Sequence, residues 1–186
     1  YRMMSLSRFF ELIKNNELVL IKPKLWDDPF EDFLSNVTFE YPDGSTNTFS
    51  ITDEFYGQCW SLKESCDGMW RNYTSLDNGV RIETSVRKLL TVVYNFNPQK
   101  ASYLTSFIGK VSYYPLDEIK GILSDDNFEY SLADTSNKKP AMLLLIKQED
   151  FSFENEIRIL YQDQFDENFN KNDIAKFPIN PLDLID

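Results

Sequence analysis

The sequence predicts an α+β fold of mixed, mainly antiparallel sheets with several short helices. Strand-type runs recur along the whole chain, helix-type spacing is concentrated early and in the middle, and Pro42-Asp43-Gly44-Ser45 is a hairpin-like turn between two strand candidates. The 186 residues suit one domain and could bury roughly 70% of the unfolded surface.

Tyr1-Arg2-Met3 reads as a short strand. Leu6, Phe9, Phe10 and Ile13 fall at i, i+3, i+4 and i+7, predicting a helix over 6–15 with Ser5 as its N-cap. Leu18 to Ile21 is a buried-strand pattern closed by Pro23. Asp28-Pro29 starts a short helix, with proline at the first helical position. Val37–Tyr41, Asn47–Thr52 and Phe55–Leu62 follow as strands. Cys66, Met69, Trp70 and Tyr73 restore helical spacing, Val80–Glu83 alternates as a strand, and a further helix is expected over about 85–95.

After Pro98, one alternating strand is expected within 103–114, with Phe107, Val111 and Tyr113 on one face. Pro115 opens a helix to about Leu123, and Ser124 to Lys139 reads as a polar loop. Residues 141–149 fit helix or strand, with helix preferred. Glu156–Tyr161 alternates Ile157, Ile159 and Tyr161 against Arg158 and Leu160. Phe177–Ile179 is a last strand, confined to an edge by Pro178.

Composition narrows the chemistry. There is no His, which excludes Ser-His-Asp and Cys-His catalysis and a His-ligated zinc site within these residues. Two cysteines cannot supply an all-cysteine zinc site, so no metal is expected and any catalysis falls to carboxylates, Arg, Ser and Tyr. A net charge of -11 argues against a broad nucleic-acid surface. No apolar run approaches the ~20 residues of a spanning helix, and no signal peptide is visible, so a cytoplasmic protein without membrane attachment is expected. The chain opens at Tyr1, which reads as a domain cropped from something longer. Its oligomeric state is not legible.

Four constellations stand out. Arg2 beside the start of a helix is either a guanidinium fork for phosphate or carboxylate, or an ordinary ion-paired arginine. Trp26-Asp27-Asp28-Pro29-Phe30-Glu31 either presents Asp28 and Glu31 over a pocket or is a capped turn with buried aromatics; local turn grammar explains every residue in it. Gln58-Cys59-Trp60-Ser61, followed by Trp70 and Tyr73 on a helix, can stack a ring and bond its polar edge, or can be core. Cys59 lacks a base and reads as a core cysteine. Glu154, Glu156 and Arg158, on one face of an extended strand, make either a salt-bridge set or a pocket glutamate kept ionised by arginine.

Taken in order, Tyr1-Arg2 with its Ser5-Leu6 helix, Asp28-Pro29-Phe30-Glu31, Gln58-Cys59-Trp60-Ser61 before Met69-Trp70-x-x-Tyr73, Gly79-Val80-Arg81-Ile82 and Glu154-x-Glu156-x-Arg158 make the chain resemble a bacterial family, domain of unknown function 2971, from Tyr1 to about Ile179. The opening layout is also similar, more remotely, to DNA-targeting and RNA-repair members of the ADP-ribosyltransferase superfamily. That likeness implies an ADP-ribosyltransferase-like fold with NAD as co-substrate, and an enzyme modifying a macromolecule in phage defence or as a toxin. It implies Arg2 on the NAD phosphate or ribose, Trp60 and Ser61 beside the nicotinamide with Tyr73 stacked on it, and Glu156 as the catalytic acid. Trp70 joins Trp60, Ser61 and Tyr73 as a cofactor-binding candidate, and Asp28, Glu31, Arg81, Glu154 and Arg158 would support them. The alternative is a non-catalytic domain binding a ligand or a protein in the same aromatic cleft. Convergence of Arg2, Trp60, Tyr73 and Glu156 would favour the first; Glu156 paired with Arg158 or Arg81 on an open face would favour the second.

Overall fold

The computed structural model describes residues 1–26, 37–49, 53–74, 78–96, 105–125, 128, 138–162 and 171–186. It has the expected α+β architecture, with helices set around mostly antiparallel sheets. Strand β1 (Arg2–Ser5) runs directly into helix α1 (Leu6–Asn15), because Ser5 ends the strand and its hydroxyl accepts from the Arg8 N–H. Asn16, in the left-handed conformation (φ 54°), ends the helix and turns the chain into β2 (Glu17–Ile21). The hairpin β3 (Val37–Glu40) and β4 (Thr46–Phe49) forms as expected around Gly44, whose φ is +80°. Then come β5 (Phe55–Ser61), α2 (Asp67–Tyr73), β6 (Gly79–Ile82), α3 (Val86–Phe96), β7 (Ser106–Lys110), β8 (Ser112–Tyr114), α4 (Leu116–Leu123), α5 (Lys138–Leu143), β9 (Ile146–Gln148), β10 (Glu156–Gln162), β11 (Ile174–Pro178) and α6 (Pro181–Leu184).

The centre is a five-stranded antiparallel sheet in the order β11-β2-β5-β10-β7. Along β10, Ile157, Ile159 and Tyr161 share a face with Trp60, Gln58 and Tyr56 of β5. That face, with Leu18, Leu20, Ala175 and Phe177, packs on Leu89 and Val93 of α3 to form the larger core. The opposite face is divided. Phe55 and Leu160 are buried under Phe128, Ala141 and Leu144 in a smaller core. Val19, Ile21, Gly57 and Cys59 instead line a cavity. β1 pairs with β6 in a separate ribbon, tied to the end of β5 where the Ser61 N–H donates to the Tyr1 carbonyl at 2.7 Å.

Several expectations need correction. The strand expected within 103–114 is two strands: the Val111 N–H still donates to Glu156, but the Ser112 N–H donates to Leu145, so the backbone leaves β10 and continues as β8 beside β9. Residues 141–149 are not one helix, because α5 stops at Leu143 and 146–148 pair in parallel with β8. The polar run before them holds Phe128, buried at 4% exposure, and the start of α5. Glu154 is not on the strand with Glu156; it ends a 3₁₀ helix over Glu149–Glu154, and Asn155 at φ 43° turns the chain into β10. The helix expected at Asp28-Pro29 and the last residues of the Asn47–Thr52 strand lie outside the described residues. β11 is the edge strand anticipated from Pro178, which sits opposite Glu17 at its end.

Candidate functional site

The cavity has a volume of about 850 Å³, within the range of small-molecule sites. Its lining joins β1, α1, β2, β5, α2 and the 3₁₀ segment before β10. Two electrostatic regions differ sharply, one fully compensated and one not.

The compensated region is a buried set of four charges. Lys147 Nζ lies 2.7 Å from Glu154 Oε2 and 3.2 Å from Glu156 Oε2. Arg158 donates from Nε to Glu156 Oε1 at 2.7 Å and from Nη1 to the Leu144 carbonyl at 2.7 Å. Two cations and two anions cancel formally, and the good geometry offsets the cost of removing them from water. The cations also rest on rings, with Arg158 4.4 Å from the Trp26 centroid and Lys147 4.7 Å from that of Phe151. Burial pushes the Glu156 carboxyl upward, but Arg158, Lys147 and a hydrogen bond from the Cys59 thiol outweigh it and hold the group below the ordinary carboxylate value. Tyr73 donates its hydroxyl to Glu154 Oε1 at 2.5 Å; burial, then that bond, keeps the phenol protonated. The Glu156 N–H donates to the Tyr113 hydroxyl at 2.8 Å, and burial pushes Tyr113 up to about 12.

The uncompensated region is Arg2. Among the described residues its guanidinium has no hydrogen-bond or ion-pair partner, although it is largely withdrawn from water and lines the cavity. Burial lowers its pKa to about 10, with smaller influences from Cys59, Arg8 and Tyr73. A partly desolvated cation without an acceptor is costly, and it is complementary to a ligand that brings an anion.

Arg2, Trp60, Ser61, Tyr73, Glu154 and Glu156 all line this one cavity. Some have other commitments. Trp60 is 3% exposed and donates its indole N–H to Gln58, and the Ser61 hydroxyl donates to the Glu154 carbonyl at 2.6 Å, so both are held by the protein itself. Arg158 sits beneath Glu156 as its ion-pair partner. Trp70 and Arg81 do not line the cavity: the Trp70 indole donates to Ser65, while Arg81 pairs with Glu64 at 2.8 Å and stacks on Tyr1. Asp28 and Glu31 lie outside the described residues. Sequence reasoning missed Lys147, whose signal was a lone cation at the end of an apolar run. It also missed Arg8 and the stacking role of Trp26, and it took Cys59 for core although the thiol faces the cavity and bonds Glu156. Among the described residues there is no group of His, Cys, Asp and Glu that could hold a metal ion, and no helix is long and apolar enough to cross a membrane.

The fold and this site define an α+β protein with a ligand-sized cavity, in which an ion-paired floor faces an unpaired arginine. Residues 69–159, a little under half of the chain, match the family model described as Protein of unknown function (DUF2971). The match supports kinship with that family and spans Tyr73, Lys147, Glu154, Glu156 and Arg158, but not Arg2, Arg8 or Ser61. No curated protein and no solved structure matches the chain.

Proposed function

We propose that the cavity receives a nucleotide-type small molecule through an anionic group placed on Arg2, and that NAD is the member of that class the lining suits best. The observation that carries this reading is the unpaired, partly desolvated Arg2 guanidinium facing about 850 Å³ of cavity that Tyr73 and Glu156 also line. A phosphate oxygen pair meets the guanidinium fork, and Tyr73, 42% exposed, offers a ring face. Glu156 stays ionised at neutral pH, which suits a carboxylate facing an oxocarbenium-like centre. In that reaction the nicotinamide–ribose bond breaks with its electron pair leaving on nicotinamide. A nucleophile of the acceptor then bonds the anomeric carbon and gives up its proton.

A second reading, a non-catalytic receptor using the same cavity, draws support from one fact. Both Glu156 oxygens already accept from Arg158 or Lys147, which offsets the negative charge that the transferase chemistry would use. Two assays separate the readings. Calorimetric titration with NAD and with adenosine tests the pocket, where the reading requires NAD to bind more tightly. Label transfer from radiolabelled NAD, with lysate and nucleic acid present, tests the chemistry in wild type and Glu156→Gln. Transfer lost in the folded variant supports the enzyme. Binding without transfer or nicotinamide release leaves the receptor, and absence of NAD binding removes the transferase and leaves a receptor for another ligand.

A further inference from the structure

A second guanidinium faces the same end of the cavity. Arg8, in the first turn of α1, also lines it, and its described partner is Glu11 at 3.9 Å. Both side chains of that pair are mostly in solvent, at 74% and 62% exposure, so the pairing contributes little and Arg8 can turn inward at small cost. Arg2 and Arg8 are also near enough to repel, since the charge of Arg8 disfavours the charge of Arg2. The end of α1 does not itself make the site: the Leu6 N–H donates to the Asn78 carbonyl at 2.8 Å and the Arg8 N–H to the Ser5 hydroxyl. The first turn carries no acidic residue to neutralise either arginine.

We infer that Arg2 and Arg8 form a two-guanidinium clamp for a ligand with two adjacent negative charges, such as a pyrophosphate or a terminal diphosphate, with Arg2 fixed and Arg8 closing on it. The inference rests on the nucleotide reading above and adds the charge class of the ligand and a residue that selects for it. Arg2 sits on a strand paired with β6 and cannot travel, whereas Arg8 is a long exposed side chain free to change rotamer. A ligand with one negative charge is served by Arg2 alone. A diphosphate engages both and relieves their repulsion.

The test is titration calorimetry of the whole chain with ADP and AMP-methyl ester (about three negative charges on two phosphates near pH 7.5, against one), and with adenosine as the uncharged probe. Variants are Arg8→Gln, Glu11→Gln and, as a charge control away from the cavity, Arg71→Gln, whose side chain pairs with Asp67. Arg8 and Glu11 are solvent-exposed, so these chains are expected to fold, and circular dichroism verifies it. Arg8→Gln is expected to weaken ADP about tenfold or more, the loss of a charge-assisted bond, and to leave the methyl ester within about twofold. Glu11→Gln should tighten ADP and Arg71→Gln leave it unchanged. If wild type binds ADP but Arg8→Gln binds it equally well, or Arg71→Gln weakens it as much, the clamp is wrong while the pocket stands. If wild type binds neither nucleotide, the nucleotide reading falls and the clamp falls with it.

Discussion

Replacing Arg2 with Met should make the protein more stable and less able to bind. Lowering a guanidinium pKa from 12.5 to about 10 means that the folded state disfavours the cation. The charge therefore costs stability at every pH below about 10, and the cost fades as pH rises from there toward 12.5. At neutral pH that shift corresponds to roughly 3 kcal/mol. Arg2 keeps some contact with solvent, so the recoverable part is about 1–2 kcal/mol. For a chain of this size, such a gain raises the melting temperature by roughly 2–8 °C. Urea and thermal unfolding of wild type, Arg2→Met and Arg2→Lys would measure it, with Arg2→Lys expected near wild type because it keeps the charge. Anion binding should fall about tenfold or more in Arg2→Met, the size of one charge-assisted contact. A loss of more than about 1 kcal/mol of stability in Arg2→Met would refute the argument, because it would mean that the guanidinium holds the fold together.

The buried charge set yields the opposite expectation. Lys147→Met leaves Glu154 and Glu156 without their shared cation and should cost about 3–5 kcal/mol in urea unfolding at pH 7. Part of that loss should return on mild acidification, since two adjacent carboxylates left with Arg158 as their one neighbouring cation take up a proton in the folded state. In wild type the Glu156 carboxyl lies below its ordinary 4.5, so its contribution is complete above about pH 4.5 and is lost as pH falls through the folded value. Unfolding free energies at pH 7, 4.5 and 3.5 should accordingly fall more steeply for wild type than for Glu156→Gln. Gly57→Ala would bring a Cβ within 2.6 Å of Trp26 Cζ2, displacing the indole from Arg158. A cost of about 1–3 kcal/mol and an altered near-ultraviolet circular dichroism spectrum are expected, and an unchanged spectrum with unchanged stability would count against that packing.

How much was legible depends on what kind of signal each element leaves. α1 was readable from the 3.6 period in residues 6–15, although Phe10 and Ile13 of that pattern are exposed and Leu12 is the buried residue, and β10 from its period of 2.0, although both of its faces are buried. The turn from β7 to β8 was not, because alternation continues through Val111 while the hydrogen-bond partner changes from β10 to β9. The run Ala141–Ile146 is apolar without a period, so neither its helix end nor the strand carrying Lys147 could be located. Arg2, Ser61, Tyr73, Glu154 and Glu156 were named from their residue types and order, and they do share a cavity. What sequence could not supply was who already held whom. Ser61 is committed to backbone, Glu156 to Arg158 and Lys147, and Arg2 to nothing among the described residues. Ser61 meets its partner across 93 residues of chain, and although Arg158 and Lys147 lie two and nine residues from Glu156, only the fold around β9 and the 3₁₀ segment brings their charges together.

The uncompensated arginine sits inside a molecule whose formal charge is -11. An anion approaching from solution first meets a repulsive field, and the attraction of Arg2 is felt only at close range. These two influences respond differently to salt, because the long-range field is screened over about 8–10 Å while a contact withdrawn from water is screened much less. Added salt should therefore speed the arrival of an anionic ligand and only modestly hasten its departure. Affinity for such a ligand would hold steady or improve as ionic strength rises, the reverse of what a basic protein shows toward the same molecule.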